Sequence, residues 1–379
     1  MKRTTLAITM TCFLLQPIVA KEPANIAKHK NDNITIIEMD RDKSPITIKD
    51  GHKYVITNKK RSFTTAVQIT HNGKLIFPVE RGLKEKTLYI YESNSTKTDT
   101  LVCGAHYPER VDDIAWENNL AAYRAYGPAL QRSGEKAYGY DIWTKSVEYP
   151  VVKERYHNHL NKGISYHEDH GNGMDVYAVG PTLGGGTAAL YIDSTIIYPY
   201  CWSEYEILDN GPWRFSVKLK YEPFIMGEDS IQEIRTITLD YGTYLNKCTV
   251  QYAGNSTQRD IVAGIVIHDK NPQGYYLDKK REYIAVEDST QNNRSGAIYV
   301  GIKTEKKFRE LFYKPYNKPG EIKGHVLALD RIDSDNLFTY YWGSSWSKND
   351  ITFSAWKNYL KRYHKNRIKK IKLKQITTL

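Results

Sequence analysis

The feature that most constrains the fold of this chain is a succession of short segments rich in Val, Ile, Thr and Tyr, each bounded by turn residues. In Arg214–Tyr221, apolar side chains alternate with polar ones, which is typical of a half-buried antiparallel strand. No repeat of fixed period and no low-complexity linker interrupts the body of the chain. The pattern predicts a mainly β protein, a large antiparallel β-sandwich with few helices. The other segments of this kind are Asn33–Glu38, Tyr54–Thr57, Thr64–Thr70, Thr87–Tyr91, Thr187–Tyr191, Ile231–Leu239, Lys247–Ala253, Ile261–His268 and Ala297–Ile302.

Two segments are predicted to be helical. One is Trp116–Tyr126, and the other runs from about Ser354 into the carboxyl-terminal tail. We predict one β-sandwich domain over residues 21–356, followed by a basic tail over residues 357–379. Within that domain, residues 21–99 form an N-terminal strand set that is joined to the rest without a flexible hinge.

Residues 1–20 have the pattern of a secretory signal peptide. Lys2 and Arg3 precede the apolar run Leu6–Val19, and a polar stretch opens at Lys21. The run is too short and too interrupted for a membrane span, and no later segment offers about 18 uninterrupted apolar residues. We therefore expect an exported protein, periplasmic or secreted, with no membrane span.

Three cysteines follow the predicted signal peptide: Cys103, Cys201 and Cys248. They are too far apart for a C-x-x-C metal pair or a dense disulfide framework, although an oxidising compartment would allow one bridge. The cysteines therefore do not define the fold.

The formal net charge of +11, from 54 basic and 43 acidic residues, is unevenly distributed. Nine Lys or Arg and no acidic residue lie between Lys357 and Leu379, so the body is neutral overall. A neutral body behind an export signal argues against a nucleic-acid partner, whereas the tail could touch anionic glycan or lipid headgroups.

The densest group of ionisable residues is Tyr166–Gly186, which holds two histidines, three acidic side chains, two tyrosines and six glycines. A packed core favours apolar side chains and a plain surface loop rarely concentrates imidazoles, so a glycine-based turn displaying these groups indicates a polar pocket. Glycine also lets the backbone approach a ligand closely. The alternative is an ordinary hydrogen-bonded turn in which His167 and His170 cap nearby carbonyl groups.

Three further clusters flank this motif: Arg110–Asn118, Tyr140–Lys145 and Tyr340–Lys348. Together they supply carboxylates, cations and tryptophans, and the flat rings offer a stacking surface for sugars. Thirty tyrosines in the chain agree with sugar binding, although tyrosine is also a common strand residue. Each cluster has a structural alternative, in which Asp112 caps a helix and Trp342 fills the sandwich.

The order of these motifs resembles the secreted Bacteroidota family called domain of unknown function 4861. The resemblance covers most of the chain after residue 20, and it implies a carbohydrate-active role, because members are found among polysaccharide-degradation genes near lyases and unsaturated-uronate hydrolases. The basic tail beyond Trp356 departs from the family pattern. The matching motifs are R-x-D-D-x-A-W-E-N from Arg110, Y-G-P-A-L from Tyr126, D-I-W-x-K from Asp141, Y-H-x-D-H-G-x-G-x-D-x-Y-x-V-G-P-T-L-G-G-G from Tyr166, and Y-Y-x-G-x-x-W-S-K from Tyr340.

A second resemblance concerns the sheet. Arg235–Gly242, followed by a strand over Cys248–Tyr252, is similar to the pattern of mutarotase-like supersandwich enzymes. It implies a sandwich of that type, in agreement with the number of predicted strands.

The candidate residues allow three hypotheses. In the first, a neutral histidine or a tyrosine removes the proton next to a uronate carboxylate while Arg124 or Lys145 neutralises that carboxylate, as in a lyase or dehydratase acting by β-elimination. In the second, Asp113 or Glu117 acts with Asp175 to hydrolyse a glycosidic bond. In the third, the same groups only bind glycan.

We favour the first hypothesis and expect an acidic oligosaccharide or polysaccharide as partner. No nucleophile elbow, phosphate loop or dinucleotide fingerprint occurs, and no cofactor is expected. A metal held by His167, Asp169 and His170 is not expected, because nearby glycine and proline disfavour the helix that would align them. The predicted catalytic residues are His167, His170, Asp175, Arg124 and Tyr166, and the predicted substrate-binding residues are Trp116, Glu117, Asp113, Asp141, Trp143, Lys145, Tyr177, Trp342 and Trp346.

Overall fold

Antiparallel β-strands make up most of the regular structure, as the sequence predicts. The computed structural model describes residues 34–93, 99–289, 294–332, 335–363 and 371–376, so the predicted signal peptide lies outside the described residues. None of the helices in these ranges is long and apolar enough to cross a membrane.

Strands and helices are numbered in chain order. The first group is β1 (Ile34–Met39), β2 (Tyr54–Thr57), β3 (Thr64–Ala66), β4 (Gln68–Ile69), β5 (Leu75–Glu80) and β6 (Thr87–Glu92). The second group is β7 (Cys103–Tyr107), β8 (Asp113–Glu117), β9 (Ala121–Ala125), α1 (Pro128–Arg132), β10 (Asp141–Thr144) and α2 (Val152–Lys162). The third group is β11 (Gly185–Ile192), β12 (Thr195–Ile197), β13 (Glu204–Asn210), β14 (Arg214–Lys220), β15 (Phe224–Met226), β16 (Asp229–Asp240), β17 (Leu245–Ala253), β18 (Asp260–His268), β19 (Tyr275–Leu277), β20 (Tyr283–Ser289), β21 (Ala297–Lys303), β22 (Glu310–Pro315), β23 (Ile322–Arg331), β24 (Leu337–Trp346), α3 (Phe353–Arg362) and β25 (Lys372–Gln375).

Two large antiparallel sheets pack face to face around the main core. One has the order β12-β11-β18-β23-β22, and the other has the order β13-β14-β16-β17-β24-β21-β20-β19, with β15 beside β16. Side chains from both sheets, such as Ile265 and Val300, are fully buried between them. The buried Arg235 guanidinium pairs with Glu233 on its own strand and donates a hydrogen bond across the gap to the carbonyl oxygen of Ala188, at 3.0 Å. The predicted β-sandwich is confirmed.

A third sheet, ordered β10-β9-β8-β7, has one face on the main core and the other towards α2 and the loop of residues 163–184. Side chains alternate across a strand. For that reason β8 directs Ile114 and Trp116 into the main core, and its other side chains point the opposite way. We call the opposite face the polar face; it carries Asp113, Glu117, Arg124, Asp141 and Trp143.

The helix predicted for Trp116–Tyr126 is wrong, because this segment is the hairpin of β8 and β9. Asn118 makes the turn: its side-chain oxygen accepts hydrogen bonds from the backbone N–H groups of Leu120 and Ala121, at 2.8 and 3.1 Å. An asparagine that satisfies the backbone locally favours a turn over a helix.

The helix predicted from about Ser354 is confirmed as α3, whereas α2 is not predicted by the sequence analysis. α2 begins shortly after Pro150 and ends before Gly163, whose φ of 67° suits the left-handed position after a helix. Asp112 does not cap the predicted segment. Its carboxylate instead accepts a hydrogen bond from the N–H of Ala129, in the first turn of α1, at 3.0 Å.

Two smaller sheets enclose a second core near the amino terminus. Their orders are β1-β5-β4 and β25-β6-β2-β3, and side chains such as Phe77 and Leu88 are buried between them. β25 comes from the predicted basic tail, pairs in parallel with β6, and buries Leu373 in this core. Gln68 connects these sheets to the sandwich, since its side-chain oxygen accepts a hydrogen bond from the N–H of Trp213 at 2.8 Å.

The three described cysteines are free thiols, so the bridge that the sequence would allow is not formed among them. Cys201 and Cys248 are buried, and burial raises the pKa of the two thiols to about 12 and about 11. These cysteines therefore act as small apolar side chains of the core.

Candidate active site

A buried arginine, Arg124, lies at the centre of the polar face and contacts three aspartates. Asp141 is its direct neighbour in the β9–β10 pairing and forms an ion pair with it. The guanidinium also lies 3.4 Å from a carboxylate oxygen of Asp113 and 3.1 Å from one of Asp175. β8, β10 and the 163–184 loop thus each contribute one carboxylate to a single cation.

Burial decides how readily these carboxyl groups hold a proton. Desolvation raises the pKa of Asp113 to about 6, against the opposing charges of Arg124 and Arg110. Desolvation also raises the pKa of Asp175, and the neighbouring Asp141 carboxylate raises it further. The site therefore combines a permanent cation with carboxyl groups that stay protonated at higher pH than an exposed aspartate.

A cavity of about 340 Å³ opens beside this cluster, which is within the range of small-molecule sites, about 300–1,000 Å³. Asp113, Arg124, Asp175, His167 and Tyr177 all line it. Three lining residues carry a buried polar atom that has no hydrogen-bond partner among the described residues: Oδ1 of Asp113, Nε of Arg124 and the Tyr177 hydroxyl. Because an unpartnered buried polar group costs about 1–3 kcal/mol, such atoms indicate a site for a polar ligand.

Arg110 adds a second cation to the cavity wall. Its Nε donates a hydrogen bond to the Tyr166 hydroxyl at 2.8 Å. The next two residues, Val111 and Asp112, have left-handed φ values of 47° and 63°. Such values are uncommon for any residue other than glycine and are rare for a β-branched residue such as Val111. Strain of this kind costs about 1–3 kcal/mol per residue and concentrates at functional sites. Here it lets Arg110 and Asp113, only three positions apart, line the same cavity.

The hydrogen bond of His167 fixes the position of its proton. Its Nδ1 lies 2.9 Å from the backbone oxygen of Asp175. A carbonyl oxygen only accepts, so Nδ1 carries the proton, and in the neutral ring Nε2 carries the lone pair. The side chain is 56% exposed and lines the cavity, so a ligand can reach this lone pair.

His170, predicted to be catalytic, does not line the cavity. Its Nε2 lies 2.9 Å from the backbone oxygen of Ser165, and its side chain is exposed. Both histidines therefore bond to backbone carbonyl oxygens, as in the alternative of an ordinary hydrogen-bonded turn, but only His167 also lines the cavity.

Asp169 and Gly173 shape the same loop. Oδ1 of Asp169 accepts a hydrogen bond from the N–H of Gly173 at 3.0 Å. Gly173 has a φ of 96°, and a Cβ there would lie 2.3 Å from the backbone oxygen of Thr144, so a larger residue would push the loop off β10. Within the described part of the chain, no group of three or more His, Cys, Asp or Glu side chains could hold a metal ion.

Trp143 and Tyr166 lie behind the charged cluster and do not face the cavity. Their rings stack at 4.8 Å, and they are only 1% and 2% exposed, so neither offers a free face to a sugar. The Trp143 indole donates a hydrogen bond to Asp141 at 3.1 Å, and the hydroxyl of Tyr156 on α2 donates one to Asp113 at 3.0 Å. Trp143 and Tyr156 thus hold the aspartates in place, and the Tyr166 hydroxyl is bonded to Arg110. These contacts correct the predicted stacking role of Trp143 and the predicted catalytic role of Tyr166.

Glu117 and Lys145, predicted to bind substrate, form a buried ion pair away from the cavity, with a distance of 2.7 Å between Nζ and Oε2. The Glu117 carboxylate also accepts hydrogen bonds from the N–H groups of Val151 and Val152 at the start of α2. Lys145 donates a further hydrogen bond to the backbone oxygen of Asn118. All these contacts are internal, so the pair fastens α2 to the third sheet.

The predicted substrate-binding tryptophans Trp116, Trp342 and Trp346 are buried in the main core. Trp116 donates a hydrogen bond to Asn246, and Trp342 stacks on the Tyr140 ring at 4.2 Å. Period-two alternation places Trp116 on the face of β8 opposite to Asp113. These rings therefore fill the sandwich and cannot stack on a ligand in the cavity.

Two residues of the site were not predicted: Arg110 and Tyr156. Arg110 stands next to the paired aspartates in the quoted sequence motif, so its position was a usable signal. Tyr156 lies on α2, and it would be found only by recognising that helix from Pro150 before it and Gly163 after it.

Three comparisons relate this chain to known proteins. The model of the family described as domain of unknown function 4861 matches residues 24–373. A curated relative from Formosa agariphila, "Uncharacterized protein P7", is 29% identical over 283 residues, which cover 70% of this chain and 67% of the relative. A solved structure, the 4-alpha-glucanotransferase of Thermococcus litoralis, is 14% identical with a TM-score of 0.30; the match covers 62% of this chain but only 37% of that enzyme.

Proposed function

The chain belongs to the family called domain of unknown function 4861, and from this premise we propose that it is a carbohydrate-active enzyme that cleaves uronic-acid-containing oligosaccharides by β-elimination. The enzyme acts in the periplasm or outside the cell, in keeping with the signal-peptide pattern of residues 1–20. The observation that carries the proposal is the hydrogen bond of His167, which leaves Nε2 as a base in a cavity that also holds two arginines and carboxyl groups with raised pKa values.

The elimination uses a base and an acid on the two sides of one bond. Nε2 of His167 takes the proton from the ring carbon that bears the carboxylate, and the electron pair forms a double bond to the next carbon. The bond from that carbon to the glycosidic oxygen breaks, and the oxygen takes a proton from Asp113, whose carboxyl group is protonated below about pH 6. The products are a fragment with a 4,5-unsaturated uronate and a fragment with a new reducing end.

Arg110, rather than Arg124, neutralises the substrate carboxylate. Both terminal nitrogens of Arg124 contact aspartates, and only its Nε has no hydrogen-bond partner among the described residues. Arg110 uses Nε for Tyr166, and its two terminal nitrogens have no hydrogen-bond partner in the described parts of the chain. These terminal nitrogens are therefore the donors that can pair with a substrate carboxylate.

Hydrolysis is the second candidate, because Asp113 and Asp175 both line the cavity. One carboxyl group would protonate the glycosidic oxygen, and the other, ionised, would activate water or attack the sugar. Desolvation raises the pKa of both groups and so disfavours the ionised partner. A role in glycan binding alone has less support, since the tryptophans proposed to stack on sugar lie in the core.

One assay separates these possibilities. The protein is incubated with uronate oligosaccharides while ultraviolet absorbance and reducing ends are followed together. Elimination raises both signals, because it creates a conjugated 4,5-unsaturated uronate. New reducing ends without the absorbance would reject the lyase and support a hydrolase. Binding of the oligosaccharide without either signal would support a glycan-binding protein.

The His167→Ala variant should lower kcat by about 10²- to 10⁴-fold, since it removes the proton-transfer group, while the protein stays folded. His170→Ala is the matched control and should leave kcat unchanged, because His170 bonds only within the surface loop. Kinetics and circular dichroism of both variants provide the measurement. Equal losses in the two variants, or normal turnover in His167→Ala, would exclude His167 as the base.

A further inference from the structure

A cluster of tyrosines lies on the surface next to the cavity. The ring centroid of Tyr138 is 5.3 Å from that of Tyr200 and 5.6 Å from that of Tyr198. The Tyr198 ring also lies 6.0 Å from the His325 ring, and His325 is paired across the β22–β23 ladder with Lys314, two residues before Tyr316. We call these four tyrosines the tyrosine platform.

The platform is continuous with the cavity wall. The backbone N–H of Tyr138 donates a hydrogen bond to the carbonyl oxygen of Gly180 at 3.3 Å. Gly180 lines the cavity, as does Ala137, the residue before Tyr138. The platform therefore begins at the stretch of backbone that forms this edge of the cavity.

The exposure of the platform distinguishes it from the aromatic core. Tyr200 is 51% exposed and Tyr316 is 36% exposed, whereas the tryptophans near the polar face are buried. A tyrosine ring offers a flat apolar face together with a polar edge, and this combination suits the apolar face of a pyranose with its hydroxyl rim. The ammonium group of Lys318 lies 5.9 Å from the Tyr316 ring, so the far end of the platform also carries a cation.

We propose that the tyrosine platform binds sugar units of the substrate outside the cavity. The substrate is then an extended oligosaccharide, with one unit in the cavity and its neighbours stacked along Tyr138, Tyr200 and Tyr316. The inference rests on the proposed function for the reaction inside the cavity, whereas binding to the platform needs no reaction.

The test is calorimetric binding of linear uronate and neutral hexose oligosaccharides of increasing length. It is made in the His167→Ala background, so that no substrate is consumed. Affinity should rise with chain length, and Tyr200→Ala should lower the affinity for the longer chains by about three- to ten-fold, with no change for a single sugar. Tyr200→Phe keeps the ring and should retain most of the affinity. Tyr149→Ala is the control, because Tyr149 is 53% exposed but makes none of the ring contacts that join Tyr138 to Tyr198 and Tyr200.

The outcomes separate this inference from the proposed function. Loss of long-chain affinity in Tyr200→Ala, combined with no product from the unsubstituted protein, would reject the elimination and keep the platform. The platform is rejected if no oligosaccharide binds, if affinity does not depend on length, or if Tyr149→Ala has the same effect. It is also rejected if Tyr200→Ala changes only the sedimentation of the protein, since a second copy of the chain would then cover the tyrosines.

Discussion

Asp113 and Asp141 are both buried and both contact Arg124, yet their remaining contacts give them different roles. Both oxygens of Asp141 are used: Oδ1 accepts a hydrogen bond from the N–H of Ile142, and Oδ2 accepts one from the Trp143 indole. Asp113 has Oδ1 without a partner among the described residues. At the scale of single residues, Asp141 therefore orients the arginine, while Asp113 is the carboxyl group able to exchange a proton with a ligand.

The pH dependence of Asp113 provides a prediction at this scale. Because its folded-state pKa is raised to about 6, the acid form persists to that pH and is lost above it. kcat/KM should therefore fall as pH rises through about 6. In Asp113→Asn the remaining activity should be low and should lack this alkaline decline. A pH profile of the variant that keeps the same decline would assign the titration to another group.

The same ionisation affects folding. A carboxyl group with a raised folded-state pKa contributes stability that is fully present below its ordinary pKa and lost as pH rises through the folded value. The urea midpoint of Asp113→Asn, relative to that of the unsubstituted protein, should therefore increase between about pH 4 and about pH 7. This measurement needs no substrate.

At the scale of elements, α2 is held against the third sheet by charges rather than by apolar side chains alone. The Glu117 carboxylate on β8 accepts two backbone N–H groups at the start of α2, where the helix dipole also favours a negative charge. Lys145, just after β10, neutralises that carboxylate. Desolvation lowers the pKa of Lys145 against the attraction of Glu117, so the cation depends on this partner.

Lys145→Met should destabilise the protein by about 3–5 kcal/mol, because it leaves the Glu117 charge buried without its cation. The double variant Lys145→Met/Glu117→Gln should lose less than the sum of the two single variants, since it removes both charges. Urea unfolding measures the three losses. The KM of the folded Lys145→Met fraction should be unchanged. A raised KM would show that Lys145 contributes to substrate binding.

At the scale of the whole molecule, the two ends of the described chain meet in one small core. β25 adds a strand to the edge of β6 and buries Leu373 beside Leu88 and Ile90. Residues from the basic tail are therefore part of the N-terminal sheets, although the two segments lie at opposite ends of the sequence. Lys374 is exposed on the same strand.

Leu373→Ala should destabilise this core by about 2–5 kcal/mol, because it leaves a cavity between the two small sheets. Lys374→Ala is the control on the same strand and should have little effect. Hydrogen exchange of the β6 amides measures the difference, since loss of β25 exposes that edge. Unchanged protection of β6 in Leu373→Ala would show that β25 contributes little to the fold.

Local patterns of the sequence determined the mainly β class, several of the strands and the helix α3, because alternation and turn residues act over neighbouring positions. They also identified the motif that holds His167 and Asp175. The sequence did not show that Trp116–Tyr126 is a hairpin, because that depends on the contacts of Asn118 with nearby N–H groups and on burial of both strands.

The tertiary structure decided which side chains share the cavity. Alternation separates Asp113 from Trp116 on β8, but only the packing of the third sheet determines which of them enters the core. Likewise, the pairing of β9 with β10 brings Asp141 next to Arg124. The resulting ion pair occupies an arginine that the sequence predicted to contact the substrate. Contacts between segments far apart in the chain depend on sheet register and burial, and these are properties of the folded molecule rather than of any local pattern.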